Sequence, residues 1–173
     1  MTSVEVVPGR WRLSFAELEA AFIINALAWL GRHYQQDVAQ LPPALRAYWQ
    51  GKITSGKAEP DDDLKEAQEI LSESRAELRS DRLALVEGWI REFELAETRD
   101  PWTVEISSAE RDEFVAMLND RRLLLALEIG ITERDMETDL RKITDSERQR
   151  AIFDIDVLGE FIMITLGPQI HRP

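Results

Sequence analysis

The chain has 173 residues, 44% of them hydrophobic and 31% charged, with a formal net charge of −12 and no cysteine. That balance belongs to a folded globule rather than a disordered chain, and the length suits one domain over residues 1–173. Disulfides and thiolate-held zinc or iron–sulfur centres are excluded.

The first segment, Met1-Thr2-Ser3-Val4-Glu5, has neither the basic region nor the apolar run of a secretory signal. The most apolar stretch, Ala20–Gly31, is shorter than the roughly 20 residues that a helix needs to cross a bilayer. A cytoplasmic protein with no membrane segment is expected.

Residues 10–13 alternate as a strand does and lead into Ser14-x-x-Glu17, a capping box. Residues 102–106 do the same before Ser107-x-x-Glu110. Two short strands are therefore predicted, paired with each other, because an isolated strand leaves its backbone groups unpaired. The first helix is expected over 14–34. It is apolar on nearly every face, which places it at the centre of the fold, with Asn25 buried and hydrogen-bonded to a neighbouring helix. A short helix over 43–49 opens at Pro43, and 51–60 reads as a loop.

Helical pattern resumes at Asp61-Asp62-Asp63, where negative charge complements a helix N-terminus, and continues to Glu97. Leu64, Leu71, Leu78 and Leu85 recur every seven residues, but Ala67, Ser74, Asp81 and Gly88 make a poor coiled-coil seam. An unbroken helix here would be about 55 Å long, against a radius of gyration of about 16 Å for a compact domain of this size. A break near Ser80-Asp81 is predicted, with Ser80 capping a second, amphipathic helix over 83–96. Gly130 should close a helix over 108–129. Residues 132–143 read as a short exposed helix. Thr144-x-x-Glu147 should cap the last helix, which ends at Gly167-Pro168. The fold class is all-α: an irregular bundle of four to six helices with a minor two-stranded β element.

Residues 1–58 carry six basic and four acidic side chains, so the acid is concentrated downstream. Such a surface repels a phosphate backbone, and nucleic-acid binding is not expected. The excess acid serves solubility, or forms a face for a basic partner or a metal.

His33 and His171 are the only histidines, and neither lies in a Glu-x-x-His or His-Glu-x-x-His pattern. His33 suits the C-terminal end of the first helix. With no cysteine nucleophile and no Gly-x-Ser-x-Gly elbow, no catalytic set is identified and no cofactor is implied. Gly51-Lys52-Ile53-Thr54-Ser55-Gly56-Lys57 has the wrong spacing for a phosphate loop. Glu66-x-x-Glu69 and Glu97-x-x-Asp100 form two carboxylate pairs. If they faced each other they could hold Mg²⁺ against a pyrophosphate, a layout similar to the all-α nucleotide pyrophosphohydrolases of the MazG type. A polar group in the third central helix, Asn119, Asp120 and Arg122, is the other candidate. Arg122 needs a partner, for which Asp156 and Glu160 are the natural choices, either as a register-fixing ion pair or as an anion pocket.

The run Leu118-Asn119-Asp120-Arg121-Arg122-Leu123, followed by Leu127-Glu128-Ile129-Gly130-Ile131, resembles an uncharacterised bacterial family of unknown function common in actinobacteria. The likeness covers mainly residues 108–131. Members of that family are often encoded beside the Clp protease adaptor. The resemblance implies an all-helical fold and a regulatory or protein-binding role. The leading expectation is therefore a non-catalytic regulatory or adaptor protein with a protein partner, or a homodimer, and the alternative is the Mg²⁺-dependent hydrolase.

Overall fold

The computed structural model describes residues 3–7, 10–50, 62–97 and 101–167. They form a mostly helical fold of six helices with a small antiparallel sheet, as the sequence implied. The strands are β1 (Ser3–Val7), β2 (Arg10–Phe15) and β3 (Trp102–Ile106), in the order β1-β2-β3. The helices are α1 (Glu17–Gln35), α2 (Pro43–Gln50), α3 (Asp62–Ala96), α4 (Ser108–Ile129), α5 (Glu133–Met136) and α6 (Ser146–Leu166).

The expected pairing of the second and third strands is present, with Leu13 opposite Val104 and Trp11 opposite Ile106. β1, whose short alternating run the two-strand reading overlooked, adds a third. Alternation explains the two faces. Leu13, Phe15, Val104 and Ile106 are buried against the helices. On the other face Arg12 lies between Glu5 and Glu105, its register neighbours, and bonds both, at 3.0 Å and 2.8 Å. Opposite charges across a ladder help to hold this register.

Several caps differ from those read in the sequence. Ser14 stays in β2 and is buried, so it caps nothing. The cap of α1 is Ala16, whose N–H is taken by Glu19 at 2.9 Å. Ser107 and Glu110 do form the reciprocal capping box at α4, and Gly130 ends that helix in the left-handed conformation (φ 70°). At α6 the cap is Asp145 rather than Thr144, its carboxylate accepting from the N–H groups of Glu147 and Arg148. The helix predicted over 132–143 is only α5 followed by a 3-10 turn at Leu140–Lys142.

α1 is central but not buried all round. Ile23, Leu27 and Leu30 are fully covered, while Leu18 and Asn25 face outward, so Asn25 is not the buried, bridged residue expected. Gly31 permits a close crossing with α3, since a Cβ there would stand 3.2 Å from Val86 Cγ1. α4 and α6 pack as an antiparallel pair joined through α5.

The largest departure is α3. It is one helix of 35 residues with no break at Ser80-Asp81. Arg79, Arg82, Val86, Trp89, Phe93 and Ala96 are all buried, at alternating spacings of three and four. The inward stripe therefore passes straight through 80–81, whose own side chains are exposed. The apolar pattern seemed to begin at 83 only because the two preceding inward positions are arginines. N-terminal to Arg79, no described side chain of the helix is buried. The first four turns or so extend about 20 Å beyond the packed part.

Amide hydrogen exchange should show this division. Protection is expected to be weak over residues 66–74 and to approach the global value over 82–93, because local stability follows buried contacts. Uniform protection along α3 would contradict the division.

Candidate functional site

Asp120, named above with Asn119 and Arg122, is the polar centre of the fold. It is 6% exposed. One carboxylate oxygen accepts from Tyr34 Oη at 3.0 Å and from Arg82 Nη1 at 2.5 Å, and the other accepts from Tyr48 Oη at 2.8 Å. Four helices meet there: α1 through Tyr34, α2 through Tyr48, α3 through Arg82 and α4 through Asp120. Arg82 is held also by Glu113 at 3.2 Å. Burial, and then the Asp120 charge, push both tyrosine hydroxyls above their ordinary range, so they remain donors. With these three donors in place, this carboxylate ties four helices together.

Arg79 does a similar job one turn earlier. Its Nη2 donates to the carbonyls of His33 (2.8 Å), Tyr34 (3.1 Å) and Gln36 (2.7 Å) at the C-terminal end of α1, where carbonyls run short of helical partners. Arg75 donates to the Tyr48 carbonyl and lies over the Tyr48 ring. His33 is buried, and its Nε2 accepts from Trp49 Nε1 at 2.8 Å. Burial, then the charges of Arg79 and Arg121, lower its pKa to about 4. It is therefore a neutral acceptor at neutral pH, not the exposed dipole partner that its place in the sequence suggested.

The same histidine stacks on Trp29 at 4.8 Å, and Arg121 lies over the other end of this series, 4.1 Å from the Trp29 ring centre. Here the polar groups are not satisfied. Arg121 Nη1 is buried without a hydrogen-bond partner. Desolvation lowers the Arg121 pKa, against the weaker pull of Glu128 and Asp154. A cavity of about 290 Å³ opens beside it, lined by Asn25, Trp29 and Arg32 of α1, Arg121 of α4 and Asp154 of α6. Phe22 and Leu158 supply apolar wall. Asn25, Trp29 and Arg32 share one face of α1 at spacings of four and three, a pattern legible in the sequence once that helix is known to be only half covered.

The other expected residues fall elsewhere. Arg122 Nε donates to the Ile155 carbonyl at 3.2 Å, and its guanidinium lies flat on Gly159, the nearest atoms 3.5–3.7 Å from where a Cβ would be. It thus fixes the α4–α6 packing through a carbonyl. Asp156 and Glu160 are exposed and take no part, and Asn119 is exposed as well. Arg122 thus meets neither of the carboxylates expected as its partners, and its Nε is engaged by a backbone carbonyl. Glu66, Glu69 and Glu97 are all exposed. Because α3 does not break, Glu69 and Glu97 lie about 40 Å apart along one helix, so the carboxylate pairs cannot face each other. Asp100 lies outside the described residues. Among the described residues no group of three or more acidic or histidine side chains is placed to hold a metal, and no helix is long and apolar enough to cross a membrane.

Comparisons with protein-family models, with curated proteins and with solved structures find no match.

Two outcomes follow from the buried polar groups. Asp120→Ala strands Arg82 without its principal counter-charge and should cost about 3–5 kcal/mol, whereas Tyr48→Phe, which removes one donor of three, should cost about 1 kcal/mol. Urea unfolding at pH 7.5 measures both. The second concerns pH. The folded His33 binds a proton less readily than the unfolded one, whose pKa is near 6.5. Its contribution is therefore complete above pH 6.5 and is lost as pH falls toward about 4. Stability should drop between pH 7 and pH 5.5 in the wild type and much less in His33→Gln.

Proposed function

We propose that the chain is a non-catalytic regulatory or adaptor protein of the cytoplasm, and that it works by offering the projecting half of α3 to a basic segment of a partner protein. The observation that carries this reading is the arm itself. Ala67, Ile70, Leu71, Ser74 and Leu78 lie on one face of α3 at i, i+3, i+4, i+7 and i+11. Ile70 is 59% exposed and Leu71 38% exposed. No packing within the described fold accounts for keeping an apolar stripe on a helix that has left the core.

Charge selects the occupant. Residues 62–77 carry six acidic and two basic side chains. By helical geometry Glu66, Glu73 and Glu77 run along the Ile70 side of the stripe. A second copy would bring like charges together, while a helix with leucines on one face and lysines beside them would complement both features. The separation of Glu69 from Glu97 along one unbroken helix favours this reading over the hydrolase alternative.

The test is binding of a synthetic amphipathic Leu/Lys peptide, followed by fluorescence anisotropy. The paired substitution Ile70→Ser, Leu71→Ser leaves every charge in place, so it separates a docking face from simple attraction between opposite charges. It should weaken binding at least tenfold, and binding should also weaken with salt. Equal affinity for wild type and variant would refute the docking face. Sedimentation should show a monomer at all concentrations. A dimer abolished by the same two substitutions would instead make a second copy the occupant.

A further inference from the structure

We infer that the cavity between α1, α4 and α6 is a binding site for a small zwitterion, an α-amino acid with an apolar side chain, whose carboxylate meets Arg121 and Arg32 and whose ammonium group meets Asp154. Two opposite charges line this cavity from different helices, Arg121 from α4 and Asp154 from α6. Both are half-buried and each feels the other's field, yet they form no ion pair. Partly desolvated opposite charges close onto each other when they are free to do so, because attraction rises as water is removed. Arg121 is not free to do so. Its guanidinium lies on the Trp29 ring, 4.1 Å from the ring centre; Nη1 is buried without a partner, and other atoms of Arg121 face the cavity. The gap is thus built into the fold.

The chemistry of the walls narrows the ligand. A guanidinium offers paired N–H donors that match a carboxylate, and Arg32, one turn along α1 from Trp29, adds a second cation at the rim. A phosphate would also suit two arginines, but Asp154 on the same wall repels a dianion and favours a ligand that carries its own positive group. Asn25 can donate or accept beside them. Phe22 and Leu158 leave an apolar surface for a hydrocarbon side chain. A volume of about 290 Å³ equals about ten water molecules at roughly 30 Å³ each, enough for an amino acid. Glu128 and Arg150 are the other charges acting on this pair. They line the adjoining cavity on the α4–α6 side, which Asp154 lines as well, and neither forms an ion pair with Arg121 or Asp154.

The site is separate from the α3 arm, and its test does not depend on that reading. Isothermal titration of the full chain would use leucine, isoleucine, valine, methionine and phenylalanine. It would also use two fragments of leucine, 4-methylpentanoate, which lacks the amine, and 3-methylbutylamine, which lacks the carboxylate, with inorganic phosphate as a further probe. At least one amino acid should bind saturably, and each leucine fragment should bind at least tenfold more weakly than the amino acid. Asp154→Asn should weaken the amino acid at least tenfold without weakening 4-methylpentanoate. Arg121→Met should abolish binding of both. If Arg121→Met unfolds, as loss of its stacking on Trp29 could cause, Asn25→Ala at the exposed rim serves in its place and should weaken the amino acid severalfold. Phosphate or 4-methylpentanoate binding as tightly as every amino acid would overturn the zwitterion assignment in favour of a plain anion site. No saturable binding of any of the five amino acids at 10 mM would overturn the site.

Discussion

The fold depends on one carboxylate. Asp120 joins α1, α2, α3 and α4 at a point where apolar packing alone would leave the helices free to slide past one another. An apolar core is tolerant of register, because leucine will pack on leucine in several ways. A buried acid that requires two hydroxyls and a guanidinium is not tolerant, since each lost partner leaves a desolvated group unsatisfied. Arg79 extends the same logic by closing the end of α1 with three bonds to carbonyls. The interior is thus an apolar core with a polar pin through it, and the pin determines how α3 lies across α1.

That pin also explains where the sequence was legible and where it was not. The helical class, the pairing of β2 with β3, the Ser107 box and the Gly130 cap follow from local rules, and those rules hold because nothing distant competes with them. Residues 79–82 defeat the same rules. Arg79 and Arg82 occupy core positions, and an arginine read in isolation is a surface residue. Only the presence of Asp120 and of the α1 carbonyls, 38 to 46 residues away in sequence, makes these positions interior. The break in α3 was expected from its length, and with these two arginines read as surface residues no inward stripe across 80–81 spoke against it. With the break came the notion that the two carboxylate pairs could approach. Ser14 and Thr144 were misread for a smaller reason. Ser14 continues the β2 ladder, and Asp145 stands one residue nearer the start of α6.

Asn119, Asp120, Arg121 and Arg122 show how much one turn of helix can distribute. Successive residues are 100° apart, so four neighbours face four environments: solvent, the polar pin, the Trp29 stack and α6. The sequence drew attention to Asn119 and Arg122 as a pair. The structure gives Arg122 to a carbonyl and leaves the unsatisfied cation at Arg121. The bare stripe of α3 and the open gap beside Arg121 thus lie on different helices and differ in chemistry.

The placement of β2 has a consequence for how the molecule is made. Arg12 and Glu105 lie 93 residues apart, and β2 is the middle strand, so its second edge stays unpaired until β3 has been synthesised. At about 5–20 residues per second the ribosome holds the nascent chain in that condition for roughly 5–20 s. During that interval β2 has no ladder partner beyond β1, and Phe15 lacks the Phe93 ring until α3 is made and the Phe161 ring throughout. The sheet can be completed once β3 has emerged, after α1, α2 and α3 but before α4 and α6, and the longer loop that brings Phe161 onto Phe15 closes later still.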